Sequence, residues 1–540
     1  MRSPLASSFL ILLAALALAP IASLLYIASG GAGDWNHLAA YVLPPAFINT
    51  AILLTGVGLI ALVTGTGTAW LVTTFDFPGR GIFVWLLPLP LAIPTYIVAY
   101  VYVDLFEAFG PVGAALRAVG LSSLTNIRSV GGAIFVMSFV LYPYVYLAAR
   151  AMFITQSAAM IEMARVAGAS RLRMMLDIAV PMARPALATG TALVLLETLN
   201  DVGASEYLGI QTLTISIFTT WLNRGNLANA AQIACALLAL VIVLFAIERY
   251  ARQSRSYVGI DRSSRPAPRA MLKGARAAWA FAACAVPILI GFIIPAASLI
   301  NEVASRGLLG NADPTVFRHA VTTLRYAAFA TIIAIALGFG AAVAARGIRG
   351  QFLKSCTNIL AIGYALPGTV LALGLLSPLV SIDEAINWVT SATVGKTVGL
   401  VIAGSGGAVI AAYVLRFLAI TVGFGQAGLG RIATDLDEAA RIAGARPIQV
   451  LRTIQWPLLK PAVGGAALLV FVDCLKELPA TLLLRPLNAE TLSTYIYQFA
   501  TRGNFEEGAL AALMIVAAGM IPALWLAHFG GGGSRSAARQ

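Results

Sequence analysis

The chain has 540 residues, 59% of them hydrophobic and only 11% charged, with a mean hydropathy of +0.86. Its 36 Lys and Arg against 23 Asp and Glu give a net charge of +13, and it carries three histidines and four cysteines. The histidines (His37, His319, His528) and the cysteines (Cys235, Cys284, Cys356, Cys474) lie far apart without a CxxC pair, so a His-based metal site or a Ser/His/Asp triad has no material to draw on.

In chain order, apolar stretches of the length that crosses about 30 Å of hydrocarbon as helix recur from one end to the other. Hydropathy places about twelve, near 5 to 28, 47 to 74, 81 to 106, 130 to 154, 185 to 203, 229 to 248, 277 to 300, 320 to 345, 355 to 380, 397 to 423, 461 to 480 and 508 to 529. The first has a basic start and a small-residue tail, "ASGGAG", but its apolar part is longer than a signal peptide's, so it is expected to remain as a span. These runs are apolar on every face rather than alternating, which excludes a β-barrel and predicts an all-α polytopic membrane protein.

Lysine and arginine set the orientation. The loops after even-numbered spans carry Arg80, Arg171, Arg173, Arg346, Arg349, Arg446 and Arg452 among others, whereas residues 29 to 46 carry none. Those basic loops and both termini are therefore expected in the cytoplasm, and topology accounts for the positive charge better than nucleic-acid binding does. The run "RQSRSYVGIDRSSRPAPRA" is basic and rich in Ser and Pro, as a linker is. It divides the chain into a first repeat (1–250), a linker (251–275), a second repeat (276–530) and a tail (531–540).

The two repeats align. "NTAILLTGVGLIALVTGTGTAW" from Asn49 matches "TTLRYAAFATIIAIALGFGAAV" from Thr322 at an offset of 273, which brings Gly65 onto Gly338, Gly67 onto Gly340 and Pro94 onto Pro367. "EMARVAGASRLRMMLDIAVPMARPA" from Glu162 matches "EAARIAGARPIQVLRTIQWPLLKPA" from Glu438 at an offset of 276, with ten of twenty-five positions identical. Each repeat holds six spans, so the halves share one topology and are related by an axis along the membrane normal.

The second matched stretch reads as a helix, turn, helix elbow. Gly168 suits the left-handed turn after a first helix, Ser170 suits the N-cap of a second, and Pro447 suits a first helical turn. Leu172, Met175, Leu176 and Ala179 fall on one stripe of that second helix, and Pro181 and Pro185 (Pro457 and Pro461) are expected to end it and open the next span. Two such elements kept in register suit a partner that is itself a dimer.

The pattern E-x-A-R-x-A-G-A … I-x-x-P resembles the cytoplasmic EAA loop of binding-protein-dependent ABC importer permeases of the type I fold. "FDFPGRG", "PLAIPTYIVAY", "YALPGTVLALGLL" and "LDEAARIAG" followed by "VDCLKELPATLLLRPLNAETLSTYIY" look most like the fused two-repeat iron(III) permeases, over residues 47 to 525. The resemblance implies two parallel six-span repeats in a bacterial plasma (inner) membrane. It also implies an ATP-binding cassette ATPase dimer and a periplasmic or extracellular solute-binding protein as partners, with membrane lipid around the chain and no nucleic acid. ATP would be used by the partner, with no cofactor bound by this chain and no catalytic residues. By the same resemblance Glu162, Ala164, Arg165 and Gly168, with Glu438, Ala440, Arg441 and Gly444, would dock the ATPase. Copy one departs from the E-A-A consensus at Met163.

Thiamine, polyamine and phosphonate permeases share much of this pattern, and a twelve-span secondary transporter is the rival class. A self-contained ATPase is excluded: "TVGKTVG" has Gly395-Lys396-Thr397 but Thr390 where a P-loop needs glycine. For the cargo path, Glu197 and Asp201, and at an offset of 276 Asp473 and Glu477, share a four-residue spacing on span 5 of their repeats. At about 1.5 Å per residue from Pro185 and Pro461 they lie roughly 18 to 24 Å from the cytoplasmic end. Four such acids suit a hard cation such as iron(III), with no fixed metal site; the alternative is that they cap helix ends or pair locally.

Overall fold

The computed structural model describes residues 4–30, 35–107, 110–121, 125–155, 168, 170–253, 269–310, 313–346, 351–360 and 362–531. Among them, eleven helices are long and apolar enough to cross a membrane, and one bent pair adds a twelfth span. In order the spans are Ala6–Ser29, Trp35–Thr74, the pair Arg80–Ala92 and Thr95–Phe106, Val130–Ile154, Arg171–Asn200, Leu227–Ala251, Ala275–Ser305, Pro314–Arg346, Gly368–Val394, Gly406–Gly430, Ile448–Lys476 and Phe505–Trp525. The all-α polytopic expectation holds. The one strand pairing described, parallel, joins Phe75 and Asp76 to Ala270 and Met271.

The helices group into two compact units that do not follow the order of the chain. One unit comprises Met1–Asn36, Ile217–Leu238 and Asp313–Tyr495; the other comprises His37–Ser216, Ala239–Ala312 and Ile496–Gln540. The first span therefore belongs with spans 8 to 11 of the second repeat, and span 7 belongs with spans 2 to 5 of the first.

In the first unit, Leu10, Leu13, Ala14 and Ala17 of span 1 pack with Ala341, Cys356, Leu360, Leu418 and Val422. Phe339, Ala342, Leu429, Ile432, Leu459 and Ala466 form a second core among spans 8, 10 and 11. Gly338 explains how close these helices come, since a Cβ there would collide with Thr421 of span 10. In the other unit Gly65, its match at an offset of 273, lies against Tyr142, Val145 and Tyr146 of span 4 in the same way. Small residues at helix crossings supply the packing that lipid does not drive. A hydrogen bond repeats with them: Thr50 Oγ1 accepts from the Leu213 N–H at 3.1 Å, and Thr323 Oγ1 from the Leu492 N–H at 2.8 Å.

Two expectations about the spans need correction. Span 9 was expected at 355 to 380 but runs Gly368–Val394, after short helices Gln351–Ile359 and Ile362–Ala365. Pro367 is the reason, because its extended backbone (φ −54°, ψ 142°) breaks the apolar run. Pro94, its match, has nearly the same dihedrals (φ −56°, ψ 140°), and there span 3 bends by 90°. Span 10 was expected to begin at 397, yet Gly395 closes span 9 in the left-handed conformation and helix resumes only at Gly406. Lys396 thus follows a helix end, whereas a P-loop lysine sits where a helix begins.

Residues 254–268 of the basic run lie outside the described residues. Cutting the gene between Ser254 and Pro268 and co-expressing both parts should still yield an importer that co-purifies and transports, because each part keeps whole spans and the Ala270–Met271 strand stays with its own helix. Failure of two well-expressed parts to assemble would give the linker a packing role.

Candidate functional site

The two elbows have the same architecture. In copy one, Gly168 has φ +77° and the helix Arg171–Met174 follows, then a π turn Met175–Ala179 and the helix Val180–Asn200. In copy two, Gly444 has φ +79°, followed by Pro447–Val450, a π turn Leu451–Gln455 and the helix Trp456–Lys476. Every boundary after the glycine matches at an offset of 276. The left-handed turns, the Ser170 cap (its side chain accepts from Arg173 N–H at 3.3 Å) and the first-turn position of Pro447 agree with the sequence expectation.

Two other expectations fail. Pro181 and Pro185 do not separate the elbow from span 5, nor do Pro457 and Pro461 in copy two. The π turn ahead of each first proline lets the chain run on as one span, since a wider turn relieves a missing N–H and the ring's demand for space. The stripe also differs from the expected one. Ala179 is buried, as expected for the stripe, but Leu172 and Leu176 are 64% and 53% exposed and Met174 is buried instead.

Glu162, Ala164 and Arg165 lie outside the described residues. In copy two the helix Thr434–Ile442 carries Glu438, Ala440 and Arg441 and ends before Gly444, with Ile442 almost fully exposed and Ile448 half exposed. What holds this helix was missed in the sequence. Buried Asp437 accepts from Arg346 Nε at 2.7 Å and from Gln455 Nε2 at 3.1 Å, tying the elbow to the end of span 8 and to the π turn of span 11. Arg346 also donates to the carbonyls of Leu429 and Ile432. The match of Asp437 in copy one is Ile161, so the repeat carried no signal for it.

The four acids of span 5 occupy unequal positions. Asp201 lies one residue past the end of its helix, where Oδ1 accepts from the Ala204 N–H at 2.8 Å and caps the short helix Val202–Tyr207. Glu477, at the matching break, accepts from Arg416 at 3.0 Å and from the Ala480 N–H at 3.2 Å, and is buried. Asp473 pairs with Lys476 at 2.9 Å, and Glu197 is part buried. Asp201 and Glu477 therefore do not share a helix face with the acids four residues before them. Asp201 and Glu197 belong to one compact unit and Asp473 and Glu477 to the other. Among the described residues, no three His, Cys, Asp or Glu side chains converge as they would around a metal ion.

The family of binding-protein-dependent transport system inner membrane components matches this chain twice, over residues 60–256 and 334–529. The chain belongs to this family. It is thus a two-repeat permease subunit of a binding-protein-dependent ABC importer, and not an enzyme. Among the permease's relatives, an Fe(3+)-transport system permease protein of Haemophilus influenzae is 23% identical over 89% of both chains. A probable ABC transporter permease of Sinorhizobium fredii is 24% identical over 87% of this chain and 84% of its own. A molybdate/tungstate transport system permease of Thermococcus kodakarensis is 27% identical, but over 38% of this chain and 77% of its own.

Proposed function

We propose that this permease carries iron(III) inward, fed by an external binding protein and driven by a separate ATPase dimer that docks on the two elbows, with both termini in the cytoplasm. The observation that carries the coupling part is the duplicated elbow, with a left-handed glycine at the same place in each copy. Paired and equivalent turns suit a two-fold partner, and Glu162, Ala164, Arg165 and Gly168 with Glu438, Ala440, Arg441 and Gly444 are the residues assigned to it. The iron reading is supported by the Haemophilus influenzae relative, which matches along nearly the whole chain. A second reading, an oxyanion cargo, is favoured by the molybdate/tungstate relative and by a sulfate transport permease of Escherichia coli, 29% identical over 37% of this chain and 70% of its own. Transport of labelled iron(III), molybdate and sulfate by the reconstituted complex decides between them.

Within the iron reading, Glu197 and Asp473 are the span-5 acids that can be replaced without disturbing the breaks, which Asp201 and Glu477 hold together. The pair Glu197→Gln and Asp473→Asn should lower iron uptake about tenfold, equivalent to ~1.4 kcal/mol of lost stabilisation along the path, with assembly and ATPase coupling intact. Unchanged uptake would remove these two acids from the path.

A further inference from the structure

The unit formed by His37–Ser216, Ala239–Ala312 and Ile496–Gln540 encloses a nest of oxygen atoms at the break of span 5. The Tyr100 hydroxyl, on a fully buried side chain, has no hydrogen-bond partner among the described residues. Oδ2 of Asp201, 9% exposed, and the hydroxyl of Ser205, 1% exposed, also lack a partner within hydrogen-bond geometry, with the Thr95 side chain beside the Asp201 carboxylate. Tyr100 lies within electrostatic reach of Asp201, Glu206, Tyr96 and Tyr497, and the Tyr497 hydroxyl donates to Glu206 at 2.6 Å. A buried polar atom left unpaired costs about 1–3 kcal/mol, and here Tyr100 and Asp201 lie in electrostatic reach of each other while Ser205 is carried on the helix that Asp201 caps.

The surroundings point to a cation. The ring of Tyr100 meets that of Tyr207 edge to face at 4.5 Å, and Tyr207, with the Arg128 guanidinium over its ring at 5.1 Å, is in reach of Glu107, Asp104 and Glu506. Those acids, with Glu302 and Glu507, form a cluster of five carboxylates against two guanidiniums, Arg128 and Arg306. They sit at the ends of spans 3, 7 and 12 that the charge distribution assigns to the outer side. An oxyanion needs N–H donors or cations, whereas this approach offers an excess of carboxylates.

The second repeat has lost the arrangement at the matching positions. Leu373 replaces Tyr100, Leu482 replaces Glu206, and the acid corresponding to Asp201 is Glu477, already neutralised by Arg416. With Tyr497 of the second repeat completing it, the nest lies within one compact unit and is not repeated at the matching positions Leu373, Glu477 and Leu482, so it is not a requirement of the shared fold.

We propose that Tyr100, Asp201, Ser205, Glu206 and Tyr497 form a transient site for the hard trivalent cation on its way inward, entered through the outer carboxylate cluster. Hard cations favour oxygen ligands, and phenols and carboxylates offer both charge and oxygen once metal binding displaces the phenol protons to water. This rests on the iron reading. Tyr100→Phe is the informative variant, because it removes a hydroxyl that holds nothing in place, so a structural role would leave both transport and stability unmoved. In vesicles carrying the complete importer, Tyr100→Phe should lose most iron(III) uptake at an unchanged thermal unfolding midpoint. The purified full-length permease titrated with iron(III) citrate should develop a visible phenolate-to-iron absorption band that Tyr100→Phe and Tyr497→Phe weaken. Iron uptake by the unaltered importer, with no band in the unaltered protein or full uptake in Tyr100→Phe, would overturn the site while leaving the iron reading intact. An unaltered importer that carries molybdate or sulfate and not iron would overturn both.

Discussion

Proline at both Gly168 and Gly444 is expected to abolish transport while the chain still inserts and reaches normal levels in the membrane. Both residues have positive φ, +77° and +79°, and proline is confined to φ near −65°, so the turn between the elbow helices cannot form. The cause would be the backbone and not crowding, because a Cβ at either position meets nothing within 4 Å. Alanine separates these effects: it adds only the strain of a left-handed L-residue, about 1–2 kcal/mol at each site, and should give partial uptake. Membrane level and ATP-dependent uptake are measured together. Normal uptake in the double proline variant would remove the elbows from energy coupling.

The largest loss of stability is expected from Glu477→Gln. Arg416 and Glu477 form an ion pair at 3.0 Å with side chains 7% and 2% exposed, and Glu477 also caps the helix Pro479–Leu484. Glutamine keeps an oxygen for the cap but leaves the guanidinium buried without a counter-charge, at a cost of about 3–5 kcal/mol. Adding Arg416→Met should recover most of that, since removing both charges leaves no ion uncompensated. The thermal unfolding midpoint in detergent reports both. A midpoint equal to that of the unaltered protein in Glu477→Gln would mean that the pair contributes little.

What could be read in the sequence was what depends on neighbours along the chain. The positive φ of Gly168 and Gly444 and the Ser170 cap are local, and duplication made them stand out. The breaks at Pro94 and Pro367 were harder, because a hydropathy window averages across a proline and registers only that the run is apolar. The expected stripe missed because the short helix Arg171–Met174 turns Met174 inward and leaves Leu172 exposed, which apolar spacing alone does not distinguish. Long-range partners left no trace. Arg346 and Asp437 are 91 residues apart, and Tyr100 sits in an apolar run where a phenol counts as hydrophobic until its neighbours are known.

The grouping of span 1 with helices of the other repeat governs how the protein is made. Leu10 and Leu13 leave the ribosome roughly 400 residues ahead of Leu418 and Val422, against which they finally pack. At synthesis rates of about 5–20 residues per second that is an interval of some 20–80 s. Span 6 arrives part-way through, its Gln232 side chain donating to the Ala28 carbonyl at 3.2 Å, but the face with Leu10 and Leu13 lacks these partners for the whole interval, which its apolar surface tolerates in lipid. Maturation of this unit therefore waits on the late part of the chain, and a polypeptide released early leaves the Leu10 and Leu13 face of its first helix without the helices it packs against.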